Sequence, residues 1–121
     1  MANPIVHWEI TSSDGKPLHD FYSQMFDWAI DTNNEYDYGM VNTKVDGGVN
    51  GGISGSPTGN LVTIYVEVDD LQAALDKAES LGGKTIMPPM DIPGAVSMAQ
   101  FADPSGNVIG LVKAGSLVAG Q

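Results

Sequence analysis

The 121-residue sequence contains no cysteine and no arginine. Without cysteine there is no disulfide, no thiolate nucleophile and no zinc-thiolate centre. Without arginine there is no bidentate clamp for a carboxylate or a phosphate. Five lysines face fifteen acidic residues, for a net charge of −10. A chain so acidic repels a phosphate backbone, which argues against nucleic-acid binding. There is no apolar run of the length that crosses a bilayer. Met1-Ala2-Asn3-Pro4 has neither the charged nor the apolar region of an export signal, so the cytoplasm is the expected location.

What is present is enough apolar residue, 42%, for a real core, cut into short elements by fifteen glycines and seven prolines. Leu61-Val62-Thr63-Ile64-Tyr65-Val66-Glu67-Val68 alternates as a half-buried strand does, and Asp69 or Asp70 caps a helix after it. The chain has this pattern twice. Setting Val62 on Val6 puts Thr63 on His7, Ile64 on Trp8, Val66 on Ile10 and Asp70 on Asp14. A repeated supersecondary unit constrains the whole fold.

In the first copy, Ser12, Ser13 and Asp14 offer N-cap oxygens, and Leu18, Phe21, Tyr22, Met25 and Phe26 recur at helical spacing. That stripe is expected to lie on a sheet. Strands follow over 27–31, 36–43 and 49–53, with turns at Asn33-Asn34 and Asp46-Gly47-Gly48. In the second copy, Leu71, Ala74, Leu75, Ala78 and Leu81 form the apolar stripe of a helix stopped by Gly82-Gly83. A strand over 84–87 is expected to break at Pro88-Pro89 and the chain to turn at Ile92-Pro93-Gly94. Strands over 96–102 and 108–113 flank the turn Asp103-Pro104-Ser105-Gly106-Asn107, and the tail after Ala114 is small and apolar. Each copy is β-α-β-β-β, about 4–54 and 60–113, within one α+β domain.

Four stretches carry a family resemblance: Val6-His7-Trp8-Glu9-Ile10; Phe21-Tyr22 with Phe26-Asp27-Trp28; Tyr65-Val66-Glu67-Val68-Asp69-Asp70-Leu71; and Phe101-Ala102-Asp103-Pro104-Ser105-Gly106-Asn107-Val108-Ile109-Gly110-Leu111. In this order they resemble the vicinal-oxygen-chelate superfamily, which includes glyoxalase I, bleomycin-resistance proteins and extradiol dioxygenases. The resemblance implies paired βαβββ modules, each sheet curled into a partial cup. It also implies four metal-ligand positions, on the first and last strand of each module, and these fall on His7, Gly52, Thr63 and Gly110. Only His7 is of ligand type. Glycine offers no donor atom and a neutral hydroxyl is a poor ligand, whereas catalytic metal sites usually draw about three ligands from the protein. No metal or other cofactor is therefore expected.

The expected ligand pocket adds Glu9, Asn50, Tyr65 and Met98 to those four positions. His7 and Glu9, two apart on a strand, also form a candidate acid/base pair, against the alternative that they only line a polar wall. Glu67 shares the strand face of Thr63 and Tyr65. Tyr36, Tyr38, Met40, Met90 and Met98 fit an apolar cavity and an ordinary core equally well. Gly51-Gly52 lacks the following helix of a phosphate loop, which leaves a close-packed or cavity-widening strand position. His19 is assigned to the surface or an interface.

Three functions remain. The first is metal-independent binding of a small organic molecule, apolar or weakly cationic. The second is a metal-dependent lyase, isomerase or dioxygenase with shifted ligands such as His7, Glu9 and Glu67. The third is a non-catalytic interaction module. By analogy with the family, each is expected to be a homodimer.

Overall fold

The structure is a computed structural model that describes residues 2–34, 38–56, 59–93 and 96–116. Tyr36, Gly94 and most of the apolar tail lie outside these residues. In chain order the elements are β1 (Ile5–Ser12), α1 (Lys16–Phe26), β2 (Ala29–Asp31), β3 (Gly39–Asn42), β4 (Gly51–Gly55), β5 (Leu61–Val68), α2 (Leu71–Ser80), β6 (Lys84–Asp91), β7 (Ser97–Ala102) and β8 (Val108–Lys113). This is an α+β chain in which βαβββ occurs twice. Two compact units result, one of residues 7–63 and one of residues 64–116 together with 2–6.

In the N-terminal unit the strand order is β2-β3-β4-β1. β2 with β3 and β3 with β4 are antiparallel, while β4 with β1 is parallel, Glu9 facing Gly52 and Ile10 facing Ile53. The parallel closure requires a long crossover, which α1, β2 and β3 provide. α1 opens at Gly15, whose N-cap position has no side-chain bond; Asp14 Oδ1 instead accepts from the Lys16 N–H at 3.2 Å. Glycine is needed at 15 because a Cβ would meet the backbone of Ser54 and Gly55. The helix ends at Asp27, which takes a left-handed φ of 59°.

The aromatic stripe of α1 does not lie buried on a sheet as expected. No α1 residue is fully buried, and Phe21, Met25 and Phe26 keep 57%, 62% and 50% of their surface exposed. Tyr22, Phe26 and Trp8 gather instead around Trp28, with ring centroids 6.0, 4.8 and 5.2 Å from it. Trp28 precedes β2, which is shorter at its start than expected.

The C-terminal unit repeats the topology, in the order β6-β7-β8-β5. β8 closes parallel on β5, with Tyr65 facing Gly110. Here the helix is seated. Leu71 and Leu75 of α2 are buried with Ala99 and Leu111, and Val66, Val68, Ala74 and Phe101 pack around them. Asp70 caps α2, its Oδ1 accepting from the Ala73 N–H at 3.0 Å, and Gly82 turns the chain away with φ 99°. The 103–107 turn forms as expected. Asp103 Oδ1 accepts from the Ser105 and Asn107 N–H groups, and the side-chain bond from Asn107 lowers the Asp103 pKa.

Pro88-Pro89 does not end its strand. β6 runs through both prolines to Asp91, and its pairing with β7 shifts register between Thr85 and Met87 and again between Met87 and Met90. β6 is the outermost strand of its unit, where missing N–H groups and bulges are tolerated.

Candidate functional site

The site is built on β1. Strand alternation sends His7 and Glu9 to one face and Trp8 to the other, as the sequence implies. Between the first two lies Tyr38, the residue just before β3. Its hydroxyl donates to Glu9 Oε2 at 2.9 Å and lies 2.9 Å from His7 Nε2. The carboxylate can only accept, so the hydroxyl proton points to Glu9 and the His7 Nε2 must be the protonated nitrogen, donating to the tyrosine oxygen. The imidazole and phenol rings are near parallel, 19° apart with centroids 6.4 Å apart. The Asn34 side chain grips Tyr38: its Oδ1 accepts from the Tyr38 N–H at 3.0 Å and its Nδ2 donates to the Tyr38 carbonyl at 2.7 Å.

The last-strand glycine makes this arrangement possible. A Cβ at Gly52 would overlap the hydroxyl and ring of Tyr38. Gly52 has no positive φ, so its role is close approach rather than backbone freedom. On the other face of β4, a Cβ at Gly51 would strike the Trp8 indole, whose Nε1 donates to the Val49 carbonyl at 2.7 Å. The glycine pair is thus a thin place in the sheet, with an aromatic ring pressed on each side.

His7 is 6% exposed, and burial lowers its pKa to about 4, so the ring is neutral at ordinary pH. Thr63 is 2% exposed, and its hydroxyl has no hydrogen-bond partner among the described residues.

Of the expected pocket residues, His7, Glu9 and Gly52 come together, and Tyr38, expected only as cavity or core, is what joins them. Asn50 closes the loop after β3, its Oδ1 accepting from Thr43 N at 3.0 Å and Thr43 Oγ1 at 3.2 Å. In the C-terminal unit, the Tyr65 ring fills the place of a Gly110 side chain and its hydroxyl accepts from Gln100 Nε2 at 3.2 Å. Met98 lies on β7 opposite Met90 and Val112. Glu67 donates its backbone N–H to the Pro4 carbonyl at 2.9 Å. His19 is half-buried rather than a surface group. Its Nε2–H donates to the Ile53 carbonyl at 2.7 Å and ties α1 to β4, in space that Gly39 leaves open.

A divalent metal does not fit the four expected ligand positions. The His7 Nε2 carries a proton engaged by Tyr38, both glycines are backed by tyrosine rings, and Thr63 offers a neutral hydroxyl. Among the described residues, no group of three or more His, Asp or Glu side chains is placed to hold a metal ion. Nor is any helix among them long and apolar enough to cross a membrane.

Comparison with known proteins gives a consistent fold. The sequence profile of the Glyoxalase/Bleomycin resistance protein/Dioxygenase superfamily matches residues 4–111. The protein CFP32 of Mycobacterium tuberculosis is 29% identical over 114 residues, which span 88% of this chain and 44% of the relative. The chain therefore spans less than half the length of that relative. Methylmalonyl-CoA epimerase from M. tuberculosis superposes with a TM-score of 0.67 at 13% identity, over 90% of this chain and 86% of its own. A Mn(II)-bound glyoxalase from Novosphingobium aromaticivorans gives 0.64 at 14% identity, over 93% of this chain and 40% of the other. At such identities the two solved structures support the fold alone.

Proposed function

Because the chain belongs to the Glyoxalase/Bleomycin resistance protein/Dioxygenase superfamily, we propose that it binds a small organic molecule without a metal ion. The observation that carries this reading is Tyr38. It stands where a metal-using relative would need a ligand, and it ties His7 to Glu9 as a polar wall of donor and acceptor groups. The metal-dependent alternative needs the His7 ring proton moved from Nε2 to Nδ1 and Tyr38 moved off Gly52 before coordination starts. We place the protein in the cytoplasm, as its composition suggests.

Equilibrium dialysis against a panel of metabolites, with EDTA present, tests the proposal. Binding is expected to persist in EDTA, and untagged protein to carry far less than one equivalent of zinc, nickel, iron or manganese. Ligand binding or turnover that appears only on adding one of these ions would sink it.

The active assembly in this reading is a homodimer that covers the exposed face of α1. The repeat offers its own comparison: α2 buries its leucines, whereas the corresponding α1 leaves Phe21, Met25 and Phe26 in water. Apolar faces of this kind mark interaction surfaces. Sedimentation equilibrium is expected to give a dimer for the wild type and a monomer for Phe21→Ser/Met25→Ser. A monomeric wild type overturns this assignment.

A further inference from the structure

Gly52, His7 and Glu9 hold a phenol in the folded chain, and that phenol belongs to the protein. The notch over Gly52 takes the ring, the Glu9 carboxylate accepts the hydroxyl proton, and the His7 Nε2–H donates to the hydroxyl oxygen. Both halves of a hydroxyl group's bonding capacity are met, which a carbonyl or an ammonium group would not reproduce. A carboxylate would fare worse still. It would set its charge against Glu9, with a neutral imidazole as its only donor there and no arginine anywhere in the chain.

The occupant is attached in a way that permits exchange. Tyr38 lies outside β3, and its backbone N–H and carbonyl are both bonded to the Asn34 side chain. Side-chain hydrogen bonds hold a backbone less rigidly than a strand ladder does. Tyr38 is also only half-buried, whereas His7 beneath it is buried.

We propose that the Gly52 notch with His7 and Glu9 is a binding site for a hydroxy-aromatic ring, and that Tyr38 is its internal occupant, displaced when such a ligand enters. This rests on the metal-free reading above and narrows its ligand class to neutral aromatic molecules carrying a hydroxyl.

Calorimetric titrations in EDTA test the proposal. Tyr38→Ala is expected to bind 4-methylphenol about tenfold more tightly than toluene, as one to two hydrogen bonds would give, and not to bind 4-methylbenzoate. Adding Gly52→Ala should abolish that binding, because the new methyl refills the notch. Tyr38→Phe keeps the ring and loses the latch, so it should bind 2-naphthol about tenfold more tightly than the wild type does. This second arm decides the matter if Tyr38→Ala does not fold. Equal affinity for toluene and 4-methylphenol, or equal affinity of wild type and Tyr38→Phe for 2-naphthol, overturns the proposal while leaving metal-free binding intact. A preference for the hydroxyl that appears only when EDTA is replaced by a divalent metal overturns both the proposal and the metal-free reading.

Discussion

Gly52→Ala is expected to destabilise the protein by about 3 kcal/mol, which lowers Tm by about 10 °C in a chain of this size. The added Cβ overlaps the Tyr38 hydroxyl and ring, so either the phenol leaves or β4 moves. β4 is held on both sides, by β3 and by β1, and resists displacement. The ring therefore leaves, and its bonds to His7 and Glu9 go with it. Overpacking and the loss of these bonds each contribute about 1–2 kcal/mol. The three heavy atoms nearest to that Cβ all belong to Tyr38, so the severest overlap is with that side chain. Tyr38→Ala/Gly52→Ala should then be about as stable as Tyr38→Ala alone, a strong departure from additivity. Thermal melts of the wild type, both single variants and the double variant check this. Additive losses would show that the Gly52 methyl clashes with something other than Tyr38. Gly51→Ala is the contrasting case, since a Cβ there meets the Trp8 carbonyl as well as its ring, and no side-chain truncation relieves a backbone contact.

Lowering the pH from 6.5 to about 4 is expected to remove about 3 kcal/mol of stability through His7 alone. In the unfolded chain this histidine takes up a proton near pH 6.5; in the folded chain burial holds the pKa near 4. Between these values the unfolded state binds the extra proton, so stability falls as the solution is acidified. Well above pH 6.5 both states are neutral and the effect disappears. His7→Gln keeps an N–H donor for Tyr38 and cannot ionise. Urea titrations from pH 7 to pH 4 should give the variant a shallower slope, by close to one proton, with the carboxylate contribution common to both proteins. Parallel pH profiles would mean that His7 is protonated in the native state near its ordinary pKa.

The repeat was legible because it is local pattern. Alternation in Ile5–Thr11 and Leu61–Val68, the Asp70 cap and the 103–107 turn each depend on residues close in sequence, and together they imply βαβββ twice. The register supports the internal alignment as well, since Glu9 faces Gly52 as Tyr65 faces Gly110. Tyr38 was not legible as the centre of the site. A glycine inside a strand signals that something approaches closely, but which ring fills the gap depends on where the loop before β3 comes to rest. The α1 stripe misled for a related reason: periodicity shows that a face is apolar without showing that anything covers it. Pro88-Pro89 would break a central strand, and only tertiary context places β6 at an edge. His19 carries no local sign that its ring reaches the Ile53 carbonyl.

The thin place at Gly51-Gly52 also governs the order in which this chain could change. A carboxylate or imidazole introduced at position 52 meets an occupied space, so on its own the substitution loses stability before any coordinating ability appears. Once Tyr38 has been reduced to a small residue, the same step becomes permissible and His7 Nε2 is released from its tyrosine partner. Introducing a metal ligand at position 52 therefore has a preferred order, with position 38 changing before position 52. Drift at position 52 alone is blocked by a side chain that the metal positions do not include.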